Sequence, residues 1–80
     1  MTKSEFNNLF NKLYNPLCNY AYAIIKDFDQ SEDIVQDIFV SFWNKQNELN
    51  LPKDKIENYL VRSIKFKCID LQRKAIVIPT

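Results

Sequence analysis

Along most of this chain the hydrophobic positions recur at the three-and-four spacing of a helix. The densest pattern places Ile34, Val35, Ile38, Phe39, Phe42 and Trp43 at i, i+1, i+4, i+5, i+8 and i+9. That is one continuous apolar stripe, and it predicts a helix from about Ser31 to Gln46. Asp29 with Glu32 three residues on, or Ser31 alone, is suited to cap it. Upstream, Phe6, Leu9, Phe10 and Leu13 share a face, which predicts a helix from about Ser4, its cap, to Tyr14. Asn15-Pro16 then reads as a cap followed by a first-turn proline. A second helix is expected from there to about Lys26, with Leu17, Cys18, Ala21, Ile24 and Ile25 inward and Tyr20 and Tyr22 partly exposed. The polar stretch Asn47 to Lys55 contains Pro52 and predicts a loop.

A fourth helix is expected from about Ile56 to Lys74. Its inward stripe is Ile56, Tyr59, Leu60, Ser63, Ile64 and Leu71, with Cys68 near it. Lys55, Arg62, Lys65, Phe66, Ile69, Arg73 and Lys74 fall on its other faces. Tyr59 is placed at the core edge and Phe66 as an exposed ring. The chain then ends on the apolar, β-branched run Ala75-Ile76-Val77-Ile78-Pro79-Thr80. The pattern as a whole predicts an all-α fold, a compact bundle of about four helices.

Composition sharpens this picture. Eighty residues make one small domain, which buries only about two-thirds of its unfolded surface. Aromatic residues, 14% of the chain, help because each large ring buries much area. There is no glycine, which argues against tight hairpin turns and glycine-rich phosphate loops. Cys18 and Cys68 are far apart and outside any CxxC pattern, so they read as reduced, semi-buried hydrophobes of a cytoplasmic protein. No apolar run approaches a membrane span and the N-terminus lacks the pattern of a signal peptide, so no membrane insertion is expected.

Charge divides the chain. The net charge is only +1, yet residues 1–50 carry four lysines against seven acids. Residues 51–80 carry seven bases against three acids. Such asymmetry points to two different partners, the basic end being suited to phosphates. Within the acidic half, Asp33, Gln36, Asp37, Val40 and Asn44 form an outward row with no base before Lys45. A solvated face would mix charge signs; a one-signed row with an apolar residue in it suits docking to a basic partner. Acids at a helix start also serve capping and dipole compensation, which for Asp33 alone is the simpler account. In the basic half, Arg62, Lys65, Phe66, Arg73 and the loop lysines interleave cations with aromatics, as proteins that hold single-stranded nucleic acid do.

Nothing points to catalysis. Histidine is absent, no nucleophile–base pair is evident, and the one-turn pair Asp33 and Asp37 lacks further ligands for a metal. No enzyme activity, metal or cofactor is expected.

Several blocks together resemble a known family. They are Phe6…Leu9…Tyr14-Asn15-Pro16-Leu17…Tyr20-Ala21, then Ser31-Glu32-Asp33-Ile34-Val35-Gln36-Asp37-Ile38-Phe39 with Trp43, then Tyr59-Leu60, Cys68-Ile69-Asp70 and Arg73-Lys74. As an ordered set they resemble region 2 of a bacterial RNA polymerase sigma factor of the extracytoplasmic-function (ECF) group in the sigma-70 family. The similarity covers nearly all of the chain, so residues 1–80 read as one region 2 domain, without the family's domain for the −35 element. The resemblance implies that Asp33, Gln36, Asp37, Val40, Trp43 and Asn44 dock on the β′ clamp helices of core polymerase. It implies that Leu49 to Lys55 form a pocket for a base flipped out of the promoter −10 element. Lys53, Lys55, Asn58, Arg62, Lys65, Phe66 and Arg73 would then hold the non-template strand. An anti-sigma factor is a further partner of such domains.

Two departures are visible. Many members carry Asn where this chain has Phe66, and a phenyl ring stacks where an amide hydrogen-bonds. The missing −35 domain implies weak promoter binding, since linked modules gain avidity by orders of magnitude. The competing expectation is a helical module that binds only protein, an anti-sigma regulator being one such partner, and not DNA.

Overall fold

The computed structural model describes the backbone of residues 1–76 and the side chains through Arg73. Three helices, not four, make the bundle: α1 (Lys3–Ile25), α2 (Phe28–Leu49) and α3 (Lys53–Ile76). Each packs against both others. The expected face of Lys74 and the expected ending from Ala75 onward lie outside the described side chains.

The difference from four helices turns on Pro16. It sits inside α1 and does not start a new helix. Proline removes the bond to the carbonyl four residues earlier and crowds it, a cost of about 3 kcal/mol in a helix interior. The apolar stripe keeps phase across it, however: Phe6, Leu9, Phe10, Leu13, Leu17, Cys18, Ala21, Ile24 and Ile25 all pack in or against one core. Breaking the helix would throw half of that stripe out of register. Pro16 itself and Lys12, whose carbonyl loses its partner, are both on the exposed side, so the unpaired carbonyl is open to solvent and not buried.

Helix caps also differ from expectation. Thr2, not Ser4, caps α1: its hydroxyl accepts from the Glu5 N–H while the Glu5 carboxylate accepts from the Thr2 N–H, a reciprocal capping box. Asp27 caps α2, accepting from the Gln30 N–H at 3.0 Å, so the helix starts three residues before Ser31. Ser31, expected as a cap, is fully buried and donates its hydroxyl proton to the Asp27 carbonyl at 2.6 Å. In this glycine-free chain α1 and α2 end on left-handed residues, Lys26 (φ 57°) and Asn50 (φ 47°). Asparagine tolerates that conformation better than lysine does. The expected loop of nine residues shrinks to Asn50, Leu51 and Pro52. α3 begins at Lys53 rather than Ile56, and in its first turn the Lys55 N–H donates to the Pro52 carbonyl at 2.9 Å.

The core is Leu13, Leu17, Cys18 and Ala21 from α1, Ile34, Val35, Phe39 and Phe42 from α2, and Ile56, Leu60, Ile64 and Cys68 from α3. Aromatic contacts lock α1 to α2: the ring centroids of Phe6 and Trp43 lie 4.9 Å apart in a tilted pair, and those of Phe10 and Phe39 lie 4.8 Å apart, edge to face. Phe42 meets Tyr59 at 6.0 Å and ties in α3. Both cysteines are free and buried, and burial pushes their thiols above the ordinary range. Among the described residues no helix is long and apolar enough to cross a membrane.

Candidate nucleic-acid interface

α3 carries the basic face. Lys55, Arg62, Phe66 and Arg73 recur at i, i+7, i+11 and i+18, which are whole numbers of helical turns. All four are exposed, opposite the buried row Ile56, Leu60, Ile64 and Cys68. Asn58 and Lys65, also exposed, flank that line on one side. Phe66 is 60% exposed, an unusual position for a large apolar ring.

Two open grooves border that ring. One, about 570 Å³, is lined by Leu51, Lys55, Asn58, Tyr59, Arg62, Ser63 and Phe66. The other, about 560 Å³, runs along the junction with α2 and is lined by Ile38, Ser63, Phe66, Lys67, Ile69, Asp70 and Arg73. Thus four of the expected strand-holding residues, Lys55, Asn58, Arg62 and Phe66, meet in one groove, and Arg73 meets Phe66 in the next. Leu51 is the member of the expected base pocket that joins them. Lys65 lines neither groove.

Lys53 stands apart. It projects toward α1, where its ammonium donates to the Glu5 carboxylate at 2.7 Å. That bond, then the Thr2 N–H and the charge of Lys53, hold the Glu5 carboxyl down to a pKa of about 2. Lys53 is raised by the same hydrogen bond. It is the one ion pair among the described residues. Among the described residues, the cations on the groove face thus form no ion pair with an acid, although Asp70 shares the second groove with Lys67 and Arg73.

The acidic row lies on α2. Asp33, Gln36, Asp37, Val40 and Asn44 are all exposed, and Val40 is 58% so. Trp43 is half-buried against Phe6, on the other side of the helix from Asp37, so its role is partly to set the helix in place. Gln36 is anchored: its side-chain amide donates to the Tyr14 hydroxyl at 3.0 Å, and that hydroxyl lies 3.3 Å from the Glu32 carboxylate as donor. The Gln36 amide alone would lower the Tyr14 pKa, but burial and the neighbouring Cys18 and Glu32 raise it overall. The phenol is thus protonated at neutral pH and able to donate to Glu32. Among the described residues no three His, Cys, Asp or Glu side chains gather as a metal site.

Sequence reasoning missed parts of this arrangement. Ser63, expected inward, is half-buried and lines both grooves. Tyr59 walls the first groove as well as touching the core, and Ile38 and Asp70 wall the second. The whole-turn spacing of Lys55, Arg62, Phe66 and Arg73 was a readable signal; the contribution of Ile38 from a different helix was not.

No curated protein and no solved structure gives a match to this chain. The model of one protein family, Sigma-70 region 2, matches residues 9–75. That span takes in α2 whole, most of α1 and nearly all of α3, and so both the acidic row and the groove face. Domains of this kind are transcription factors, not enzymes, and in general bind RNA polymerase and recognise the promoter −10 element. This chain belongs to the sigma-70 region 2 family.

Proposed function

We propose that the domain is of the ECF type and works through two faces. The exposed row Asp33, Gln36, Asp37, Val40 and Asn44, with Trp43 setting its orientation, docks on the β′ clamp helices of core polymerase. The groove face of α3, with Lys55, Asn58, Arg62, Phe66 and Arg73, holds the non-template strand of the −10 element, and a base flipped from the duplex sits beside Leu51. Lys65 adds charge at the edge. Lys53 contributes long-range attraction at most, since Glu5 holds its ammonium. Flipping a base costs a few kcal/mol, which stacking and a shaped groove offset. The protein breaks no covalent bond; binding energy opens the DNA. The site of action follows the polymerase into the cytoplasm.

One observation carries this reading: four cationic, amide and aromatic side chains expected to hold the strand line a single open groove together with the loop residue Leu51. Unpaired cations beside an exposed ring are what a single strand needs, charge for its phosphates and a flat surface for its bases. A second reading, a protein-binding module that meets an anti-sigma factor, draws on the exposure of Val40 within the acidic row. Anisotropy of a labelled single-stranded −10-like oligonucleotide separates them. Binding that requires core polymerase and drops with Asp37→Ala or Arg62→Gln supports the two-face reading. Polymerase binding with no oligonucleotide capture supports the protein-only module.

A further inference from the structure

We infer that Tyr14, outside the acidic row, is a positioning residue for it: its hydroxyl holds the Gln36 side-chain amide with the nitrogen inward and the oxygen outward, so that Asp33, Gln36 and Asp37 meet the partner as acceptors only. The inference rests on the proposed docking role of that row and names the group that prepares it. Tyr14 belongs to α1, whereas Glu32 and Gln36 lie one turn apart on α2. The Gln36 amide donates to the Tyr14 hydroxyl at 3.0 Å, and the hydroxyl donates to the Glu32 carboxylate at 3.3 Å. The ring that carries this hydroxyl is itself fixed. It stacks on Phe10 with centroids 4.9 Å apart, and Phe10 meets the buried Phe39 edge to face at 4.8 Å. A ladder of rings thus runs from the core to an exposed amide of the docking row.

The direction of the hydrogen bonds fixes the amide. A phenol has one proton, and an ionised carboxylate can only accept. With that proton given to Glu32, the phenol oxygen offers Gln36 nothing but lone pairs, so the amide turns its NH2 group toward Tyr14. Cys18, another polar neighbour of the hydroxyl, is a weak acceptor and competes poorly for the proton. The Gln36 carbonyl oxygen is left for a partner. An unanchored glutamine would present donor or acceptor with equal ease and would have to be ordered on docking, at a cost in affinity. Fixed this way, Gln36 continues the oxygens of Asp33 and Asp37. The three fit a partner that brings arginine or lysine donors and reject one that brings a carbonyl or carboxylate.

The test uses the 80-residue chain, free and with core polymerase. In the free domain the NMR signals of the Gln36 side-chain NH2 should stand apart from the position of a solvated amide, and Tyr14→Phe should return them to it. Signals already at that position in the unaltered chain would overturn the inference. Tyr14→Phe keeps the ring and its stack on Phe10, so helical circular dichroism should not change. Polymerase affinity should fall about three- to tenfold, the range expected when one long side chain has to be ordered on binding. In a Gln36→Ala background the same substitution should cost nothing further, because Tyr14 acts through Gln36. In a Gln36→Glu background it should also be harmless, since a carboxylate offers oxygens whichever way it turns. An equal loss in all three backgrounds, or no loss while Asp37→Arg weakens docking, would reduce Tyr14 to a tie between helices and overturn the positioning role alone. If Asp37→Arg and Gln36→Ala both leave polymerase binding intact, the docking reading falls and the positioning role falls with it.

Discussion

Single residues on this domain separate into those that hold the fold and those left free to act. Asp37 is exposed, makes no ion pair among the described residues, and sits one turn from both Asp33 and Val40. Asp37→Arg should therefore leave helicity and Tm unchanged while weakening binding to core polymerase at least about tenfold, since it reverses a charge facing a basic partner. Pull-down or anisotropy against core polymerase checks this, and undiminished binding would remove the acidic row from the docking surface. Glu5 is the opposite case, a charge used inside the fold. Its carboxyl is held to about 2 by Lys53 and by the Thr2 N–H, against an ordinary value of 4.5. A depressed folded-state pKa stabilises above the unfolded value and loses that contribution as pH falls through the folded one. The share due to Glu5 should thus be complete above about pH 4.5 and gone near pH 2, and modest because the pair is exposed to solvent. Thermal melts between those limits should show a shallower decline for Glu5→Gln than for the parent; parallel curves would mean that the pair forms too rarely to matter. Residues 5 and 53 are 48 positions apart, and nothing in the local pattern pairs them. Phe66, by contrast, was legible as an exposed ring because its position on the helix wheel sets it opposite Leu60, Ile64 and Cys68.

At the scale of elements, hydrophobic phase outweighed punctuation. The Asn15-Pro16 pair carries the local signature of a helix start, yet Leu13 and Leu17 must both reach one core, and they do so only if α1 runs on. The strain of Pro16 is carried for the sake of that register. Pro16→Ala should restore a backbone hydrogen bond on the solvent face and raise stability by about 1–2 kcal/mol, a Tm gain of roughly 5–10 °C for a domain of this size. Differential scanning calorimetry measures it directly; an unchanged or lower Tm would mean that the freed carbonyl is already well satisfied by solvent. The caps show the same competition. Ser31 has the chemistry of a cap, but its position on the buried stripe of α2 sends it inward, and Asp27 takes the role instead. Loop composition was a weaker guide still: Asn47, Glu48 and Leu49 are polar or mixed, and all three extend α2.

For the whole molecule, the consequence of the fold is separation of charge. Helix α2 presents its acids and α3 its bases on different faces, although the chain sums to +1. Capture of a single strand on the α3 face should depend on salt through the counterions its phosphates release, about 0.7 per phosphate neutralised. Arg62→Gln should weaken binding across all sequences and lower the slope of log affinity against log salt by about 0.7. Lys53→Gln should leave that slope nearly unaltered, because Lys53 points at α1. Equal slopes for Arg62→Gln and the parent would place the strand elsewhere on the surface.

Helix type, the inward faces and the exposed charged rows follow from the chain itself, because spacing of three and four decides which side chains share a face before any tertiary contact forms. The order of blocks around the Glu32 to Phe39 segment was likewise enough to mark the family. Helix number was not decided locally, since the cost of an interior proline has to be weighed against apolar area buried by partners far along the chain. Nor were the grooves, whose walls come from Leu51 and Ile38 as well as α3. A cavity exists only where separate elements fail to close on each other, and that depends on how three helices pack, which no single stretch of sequence contains.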